Sequence, residues 1–147
     1  MVANGGKYYL ICNYDKYDNL SHYRIDRISN IEILDTPRKP KKQVEGLVGL
    51  DVAKYMQEHI FMFGGKSIRA KFEMPKYLIS DVLDSFGANV NFADIGDGNV
   101  LTSVKVNEND IRYWARLYAS QIKITEPKEL VDMCKQDMEN ALKLYDV

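Results

Sequence analysis

The sequence predicts an α+β protein with a small strand-rich unit followed by a larger mixed unit. Two observations carry this prediction. Short segments of alternating apolar and polar residues dominate the first 36 residues, whereas helical and strand periodicities alternate from residue 64 onward. A proline-containing basic stretch and one helical stretch lie between them. We therefore divide the chain into residues 1–36, a linker and helix at 37–63, and residues 64–147.

Length and composition agree with this division. The chain has 147 residues, is 46% hydrophobic and carries a net charge of −1. This size suits one ordinary domain or two small ones, and the near-zero charge gives no general attraction to nucleic acid or to membranes. Cys12 and Cys134 both lie in apolar patterns and are interpreted as reduced core thiols. With no signal peptide and no membrane-length apolar run, we expect a cytoplasmic protein.

Three short strands are predicted in the first unit. They cover residues 7–14, 22–28 and 31–34, with a polar loop between the first two. Three such strands cannot bury both faces of a sheet, and isolated small sheets are marginally stable. We therefore expect a fragment whose missing neighbour strands are replaced by another chain or by an exchanged strand.

The second predicted strand carries charged side chains at positions where burial without a partner would be unfavourable. Strict alternation places Tyr23, Ile25 and Arg27 on one face and Arg24 and Asp26 on the other. An arginine on an apolar face requires a partner or a ligand. Two interpretations remain open at this point. Either Asp26 forms an ion pair with one of the arginines, or their guanidinium groups bind phosphates or bases.

The middle of the chain predicts a linker and a helix. The basic stretch at residues 36–42 favours a solvated linker over a nucleic-acid contact. Residues 50–61 carry an apolar stripe at helical spacing that includes His59, which is interpreted as a packed histidine rather than a metal ligand. Gly64 and Gly65 then interrupt the pattern.

The remaining elements are predicted more clearly. They are a strand at 67–72, a helix from Pro75 to Gly87, two strands around an Asp97-Gly98 turn, a helix capped by Asn107, a strand near 122–124 and a long helix after Pro127. This order, β-α-β-β-α-β with a C-terminal helix, is the ferredoxin-like pattern. Trp114 lies on the apolar stripe of its helix, which favours core packing over a stacking platform for a base.

Catalytic motifs are lacking. The chain has no Gly-x-Ser-x-Gly elbow, no His-Glu-x-x-His and no phosphate-binding Walker loop. The glycine-rich stretch at residues 94–99 has neither calcium-loop nor dinucleotide spacing and is interpreted as a hairpin turn. Two histidines and two distant cysteines do not form a zinc pattern. We expect no enzymatic activity and no cofactor.

Two segments resemble a known family. Tyr8-Tyr9-Leu10, followed by Tyr23-Arg24-Ile25-Asp26-Arg27-Ile28, resembles the WYL domain of bacterial transcriptional regulators, whose motif is Trp-Tyr-Leu and then an Arg-x-Phe-Arg-Leu-Asp-Arg-Ile-like strand. Residues 61–65 and the ferredoxin-like region resemble the WCX extension that often follows it, and residues 114–130 resemble the end of that extension. Tyr8 replaces the tryptophan of the motif, and Ser21 stands where many members carry an arginine.

The resemblance implies a fold and a function. Residues 1–36 would be the C-terminal part of a Sm-like, SH3-type barrel, and the extension would serve dimer contacts and regulation. Tyr9, His22, Arg24 and Arg27 would line a face for a nucleotide or a single-stranded nucleic acid, with Asp26 orienting an arginine. A helix-turn-helix domain further upstream would bind DNA, and the regulator would be a homodimer. The alternative is a protein-interaction or dimerisation module with no small-molecule ligand.

Overall fold

The computed structural model describes residues 1–17 and 19–145. Two antiparallel sheets, one of three strands and one of four, combine with four α-helices, and this confirms the predicted α+β class. The elements are β1 Val2–Asn4, β2 Lys7–Asn13, β3 Leu20–Arg24, α1 Val52–Glu58, β4 Ser67–Pro75, α2 Ile79–Phe86, β5 Val90–Gly96, β6 Asn99–Asn107, α3 Glu108–Leu117, β7 Lys123–Glu126 and α4 Lys128–Lys143. None of the helices in the described part of the chain has the length and apolarity needed to cross a membrane.

The three-stranded sheet has the order β1-β2-β3. Strand β1 precedes the first predicted strand and pairs with it in register, Val2 opposite Tyr9. Gly5 and Gly6 form the turn between them, and both have positive φ angles that side chains other than glycine adopt with difficulty. With only three residues, β1 is too short for its alternation to be recognised in the sequence.

Two strand predictions in this unit are wrong. Strand β3 ends at Arg24, and Ile25–Arg27 form a single 3-10 turn in which the Ile28 N–H donates to the Ile25 carbonyl at 3.2 Å. The face predicted to unite Tyr23, Ile25 and Arg27 therefore stops at Tyr23. Residues 31–34 form no strand, and the Ile33 side chain is 100% exposed. Apolar alternation does not make a strand unless a neighbouring strand receives its backbone hydrogen bonds.

The four-stranded sheet has the order β5-β6-β4-β7. Its longest pairing runs from Ser67 opposite Asn107 to Pro75 opposite Asn99. Side chains from one face of this sheet pack with those of α2, α3 and α4 in a single core. Trp114 lies in that core at 2% exposure, as predicted, and its indole N–H donates to Ser85 Oγ at 3.0 Å. The opposite face carries mainly polar side chains, which follow from the alternation of the strands.

Helix boundaries follow from local chemistry. The Asn107 side chain accepts hydrogen bonds from the backbone N–H groups of Asn109 and Asp110 and caps α3, as predicted. Asp51 caps α1 in the same way by accepting from the N–H of Lys54. Gly87 ends α2 with a positive φ of 72°. These caps fix where α1 and α3 begin, and both helices contribute to the contacts described next.

Candidate functional site

The predicted binding face is formed by β2 and β3. Tyr9 and Arg24 are direct partners in the antiparallel register, so their side chains lie side by side on one face. His22 lies on the same face two residues before Arg24, opposite Ile11. The structure therefore brings three of the five predicted residues to one face of the small sheet. Asp26 and Arg27 follow in the 3-10 turn.

Asp26 forms a two-point ion pair with Arg24. The Arg24 Nε donates to Oδ1 of Asp26 at 3.0 Å, and Nη2 donates to Oδ2 at 2.5 Å. The hydrogen bond raises the pKa of Arg24 and lowers the pKa of Asp26. A guanidinium has five N–H groups, and this pair uses two of them. The remaining ones have no hydrogen-bond partner among the described residues, so Arg24 is oriented but not saturated.

Arg27 is exposed in the turn and forms no ion pair with any described residue. Of the two pairings left open by the sequence, the structure contains the one between Arg24 and Asp26. Beside the turn, a surface hollow of about 380 Å³ is lined by Lys7, Tyr8 and Asp26, with Met1, Gly6 and Ile25 completing it. The hollow thus places one cationic side chain, that of Lys7, beside the ring of Tyr8 and the carboxylate of Asp26.

His22 contacts Met62 and Tyr55 and not the residues that line the hollow. Its Nδ1 lies 2.8 Å from the carbonyl oxygen of Met62, and its Nε2 lies 2.5 Å from the hydroxyl of Tyr55. Because a carbonyl only accepts, Nδ1 carries the proton, and the unprotonated Nε2 of the neutral ring accepts from Tyr55. Burial lowers the pKa of His22, although the bond to Met62 acts in the opposite direction. Both ring nitrogens are engaged, so His22 ties the sheet to α1.

Tyr55 and His59 complete this contact. Their rings stack with centroids 3.9 Å apart, and the His59 Nδ1 donates to the Tyr55 carbonyl at 2.8 Å. His59 is 4% exposed, as expected for a packed histidine. Burial lowers the pKa of His59 and raises the pKa of Tyr55 to about 12. The spacing of Tyr55 and His59 on one helical stripe is visible in the sequence, but their contact with His22 is not.

Asp110 is a second residue whose role the sequence does not reveal. Its fully buried carboxylate accepts the backbone N–H groups of Phe61 at 3.0 Å and Phe63 at 3.1 Å. Burial raises the pKa of Asp110 to about 6, despite these two hydrogen bonds. On the other side of the same segment, the Asn4 amide donates to the carbonyls of His59 and Ile60. Residues 59–63 are thus held by the small sheet, through Asn4 and His22, and by α3, through Asp110.

The chain matches no protein-family model, and no curated protein matches it. The resemblance to WYL domains therefore rests on the residues themselves. Within residues 1–17 and 19–145, no group of three or more His, Cys, Asp or Glu side chains is arranged to hold a metal ion. The small sheet and the turn after it carry an oriented guanidinium, a second exposed arginine and the phenol ring of Tyr9.

Proposed function

We propose that this chain is the ligand-sensing and oligomerisation part of a cytoplasmic bacterial helix-turn-helix regulator. Its ligand is a nucleotide or a single-stranded nucleic acid, bound by Tyr9, Arg24 and Arg27, and Asp26 orients the Arg24 guanidinium before the ligand binds. The observation that carries the proposal is the geometry of Arg24, which Asp26 orients while unused N–H groups remain beside Tyr9. Planar guanidinium forks match phosphate oxygens, and the ring of Tyr9, the register partner of Arg24, offers an aromatic surface to a base.

The fold is compatible with this proposal. Counting its strands in chain order, the larger sheet has the order 2-3-1-4 with helices on one face, and this order supports a ferredoxin-like domain. The small sheet with free edges at β1 and β3 fits part of a barrel. Both features support a WYL domain fragment followed by a WCX extension.

The proposed site has a physical link to the rest of the chain. A phosphate that binds Arg24 competes with Asp26, which lies in the turn that ends β3. His22 lies two residues before Arg24 on β3. Its ring nitrogens form hydrogen bonds with the Tyr55 hydroxyl and with the Met62 carbonyl. A ligand that favours one position of β3 therefore favours one arrangement of the small sheet against α1. This is how binding would bias the conformers of a regulator.

Calorimetric titration tests the proposal. The chain is titrated with adenosine monophosphate and, separately, with a short single-stranded oligonucleotide. We expect Arg24→Ala and Arg27→Ala each to weaken binding about tenfold or more, because each removes a charge-assisted phosphate contact. Arg38→Ala is the matched control, since Arg38 is an exposed arginine outside the site. Affinities that do not differ between the site variants and the control would contradict the assignment.

A dimerisation module without a small-molecule ligand is the second candidate. Its specific support is the outward face of the small sheet, where Tyr8, Leu10 and Tyr23 are 60%, 41% and 45% exposed. The unpaired segment with Ile31 and Ile33 adds further exposed apolar surface. This candidate predicts a dimer by sedimentation that Leu10→Ser weakens, together with no detectable binding of either probe. Binding of a probe by a monomer would exclude it.

A further inference from the structure

A polar cleft of about 430 Å³ lies between α1 and the sheet face that the helices leave open. Lys54 and Glu58 of α1 form one wall, and Arg69 of β4 and Lys105 of β6 form the floor. The connection between α2 and β5 closes a third side with Asn89. The volume is at the lower end of the range of ligand pockets, roughly 300–1,000 Å³. The cleft shares no lining residue with the small-sheet site.

The floor of this cleft contains two like charges in direct opposition. Arg69 and Lys105 are register partners in the β4–β6 pairing. Directly opposite side chains have Cβ atoms about 5 Å apart, and like charges at that spacing destabilise a sheet. The pairing therefore costs the fold stability. A bound anion would turn the same arrangement into a favourable one.

Only one of the cationic side chains is neutralised within the cleft. The Lys105 Nζ lies 3.0 Å from Oε1 of Glu58. Burial opposes ionisation of Glu58, but hydrogen bonds with Ser67 and Lys105 outweigh it and keep the pKa of Glu58 below its ordinary value. Among residues 1–17 and 19–145, no carboxylate lies within 4.0 Å of the Arg69 guanidinium or the Lys54 ammonium. The cleft therefore has an excess of positive charge.

The walls are held in place before any ligand binds. The Asn89 Nδ2 donates to Oε1 of Gln57 at 2.8 Å, which ties the connection after α2 to α1. Asn91 on β5 also lines the cleft, so amide groups accompany the charges. Phe86 is the aromatic residue of the lining, and at 2% exposure it offers no ring face for a nucleobase.

We propose that this cleft binds the phosphate group of a small phosphorylated metabolite without an aromatic base, a sugar phosphate in chemical class. Arg69 provides a planar fork for two phosphate oxygens, and Lys54 and Lys105 provide further charge. The amide side chains of Asn89 and Asn91 hydrogen-bond to the hydroxyl groups of the sugar. This specificity separates the cleft from the small-sheet site, where an aromatic surface accompanies the arginines.

The test is an NMR titration of the whole chain with inorganic phosphate and then with ribose 5-phosphate at constant ionic strength. We expect saturable shifts of the Arg69, Asn91 and Lys105 amide signals, with ribose 5-phosphate binding more tightly than phosphate. Arg69→Gln weakens ribose 5-phosphate binding about tenfold or more, by the loss of a bidentate contact. Lys54→Gln weakens it severalfold. Arg38→Gln removes the same charge from an exposed position outside the cleft and changes the affinity less than twofold.

Three outcomes would overturn the proposal. They are non-saturable shifts in the unsubstituted chain, equal weakening by Arg69→Gln and Arg38→Gln, and loss of ribose 5-phosphate binding in Arg24→Ala. The last result would place the anion at the small-sheet site, so the two proposals fail separately. Unchanged spectra away from the cleft establish that each variant is folded. If Arg69→Gln does not fold, the comparison of Lys54→Gln with Arg38→Gln decides.

Discussion

The Nε2 of His22 accepts a hydrogen bond from the hydroxyl of Tyr55 at 2.5 Å, and this contact joins the three-stranded sheet to α1. The two residues are 33 positions apart in the chain. The other ring nitrogen of His22 binds the Met62 carbonyl, so the neutral imidazole is satisfied on both sides. Several properties of the chain should depend on this contact.

Tyr55→Phe removes the hydroxyl and leaves the His22 Nε2 without its donor. We expect a loss of about 1–2 kcal/mol in the free energy of unfolding, because a half-buried acceptor loses its partner. Urea denaturation measures this loss. Tyr113→Phe is the matched control, since Tyr113 is 42% exposed. Surface substitutions of that kind change stability by less than about 0.5 kcal/mol. Equal losses in the two variants would show that the hydrogen bond is not stabilising.

Stability should fall as the solution becomes acidic. Burial lowers the pKa values of His22 and His59 below their ordinary value of 6.5, so the unfolded chain binds these protons more readily than the folded chain. Their contribution is therefore complete above pH 6.5 and is lost as the pH falls below it. Urea denaturation at intervals between pH 8 and pH 5 measures the decline. Constant stability across this range in Asp110→Asn, which lacks the opposing titration of Asp110, would contradict the assignment of neutral, buried imidazoles.

Titration of Asp110 opposes the loss of stability that the two histidines cause as the pH falls. Burial raises its pKa from 3.8 to about 6, so the folded chain binds this proton more readily than the unfolded chain. The contribution of Asp110 to stability therefore increases as the pH falls through 6. In Asp110→Asn this opposing contribution is absent, and we expect a steeper loss of stability between pH 6 and pH 5 than in the unsubstituted chain. A shallower loss would contradict the raised pKa.

Asp26→Asn distinguishes a binding role of Arg24 from a purely structural ion pair. If phosphate competes with Asp26 for the guanidinium, this variant should bind adenosine monophosphate severalfold more tightly, because the competing carboxylate is gone. Calorimetric titration measures the change. Asp15→Asn is the control, since Asp15 is also an exposed carboxylate in an ion pair, with Lys39 at 3.2 Å. If both variants bind more tightly by the same factor, the effect is one of net charge alone.

Arg69→Gln should stabilise the chain when no multivalent anion is present. The substitution removes a like charge opposite Lys105, and we expect a gain of about 0.2–1 kcal/mol in the free energy of unfolding. Lys123→Gln provides the contrast, because Lys123 is opposite Glu73 with Nζ and Oε2 3.6 Å apart. That variant should be neutral or slightly less stable. Thermal unfolding in a phosphate-free buffer compares the two, and a loss of stability in Arg69→Gln would refute the repulsion.

The larger unit could be predicted from the sequence because its signals are local. Alternation along β6, the Asp97-Gly98 turn and the capping side chain of Asn107 all act within a few residues of one another. The core position of Trp114 is predictable for the same reason, since helical periodicity defines its face. Local signals of this kind do not depend on which distant segment packs against them.

The remaining features depend on partners that are remote in the sequence. The end of β3 is decided by the turn in which Asp26 reaches back to Arg24, and residues 31–34 lack a neighbouring strand. The contacts of His22 with Tyr55 and of Asp110 with Phe63 join residues 33 and 47 positions apart. No period or motif marks such pairs. The sequence therefore indicates the individual candidate residues, but not the contacts between residues that are distant along the chain.

The segment between α1 and β4 has a consequence for communication within the molecule. The Met62 carbonyl that His22 binds and the Phe63 N–H that Asp110 accepts belong to one peptide group. The carbonyl of Ile60 and the N–H of Phe61 likewise belong to one peptide group, held by Asn4 and Asp110. Each planar amide is thus polarised from both ends, and hydrogen bonds in such chains strengthen one another. We therefore expect a change in the protonation of Asp110 to alter how strongly the carbonyl oxygens of Ile60 and Met62 attract Asn4 and His22 in the small sheet.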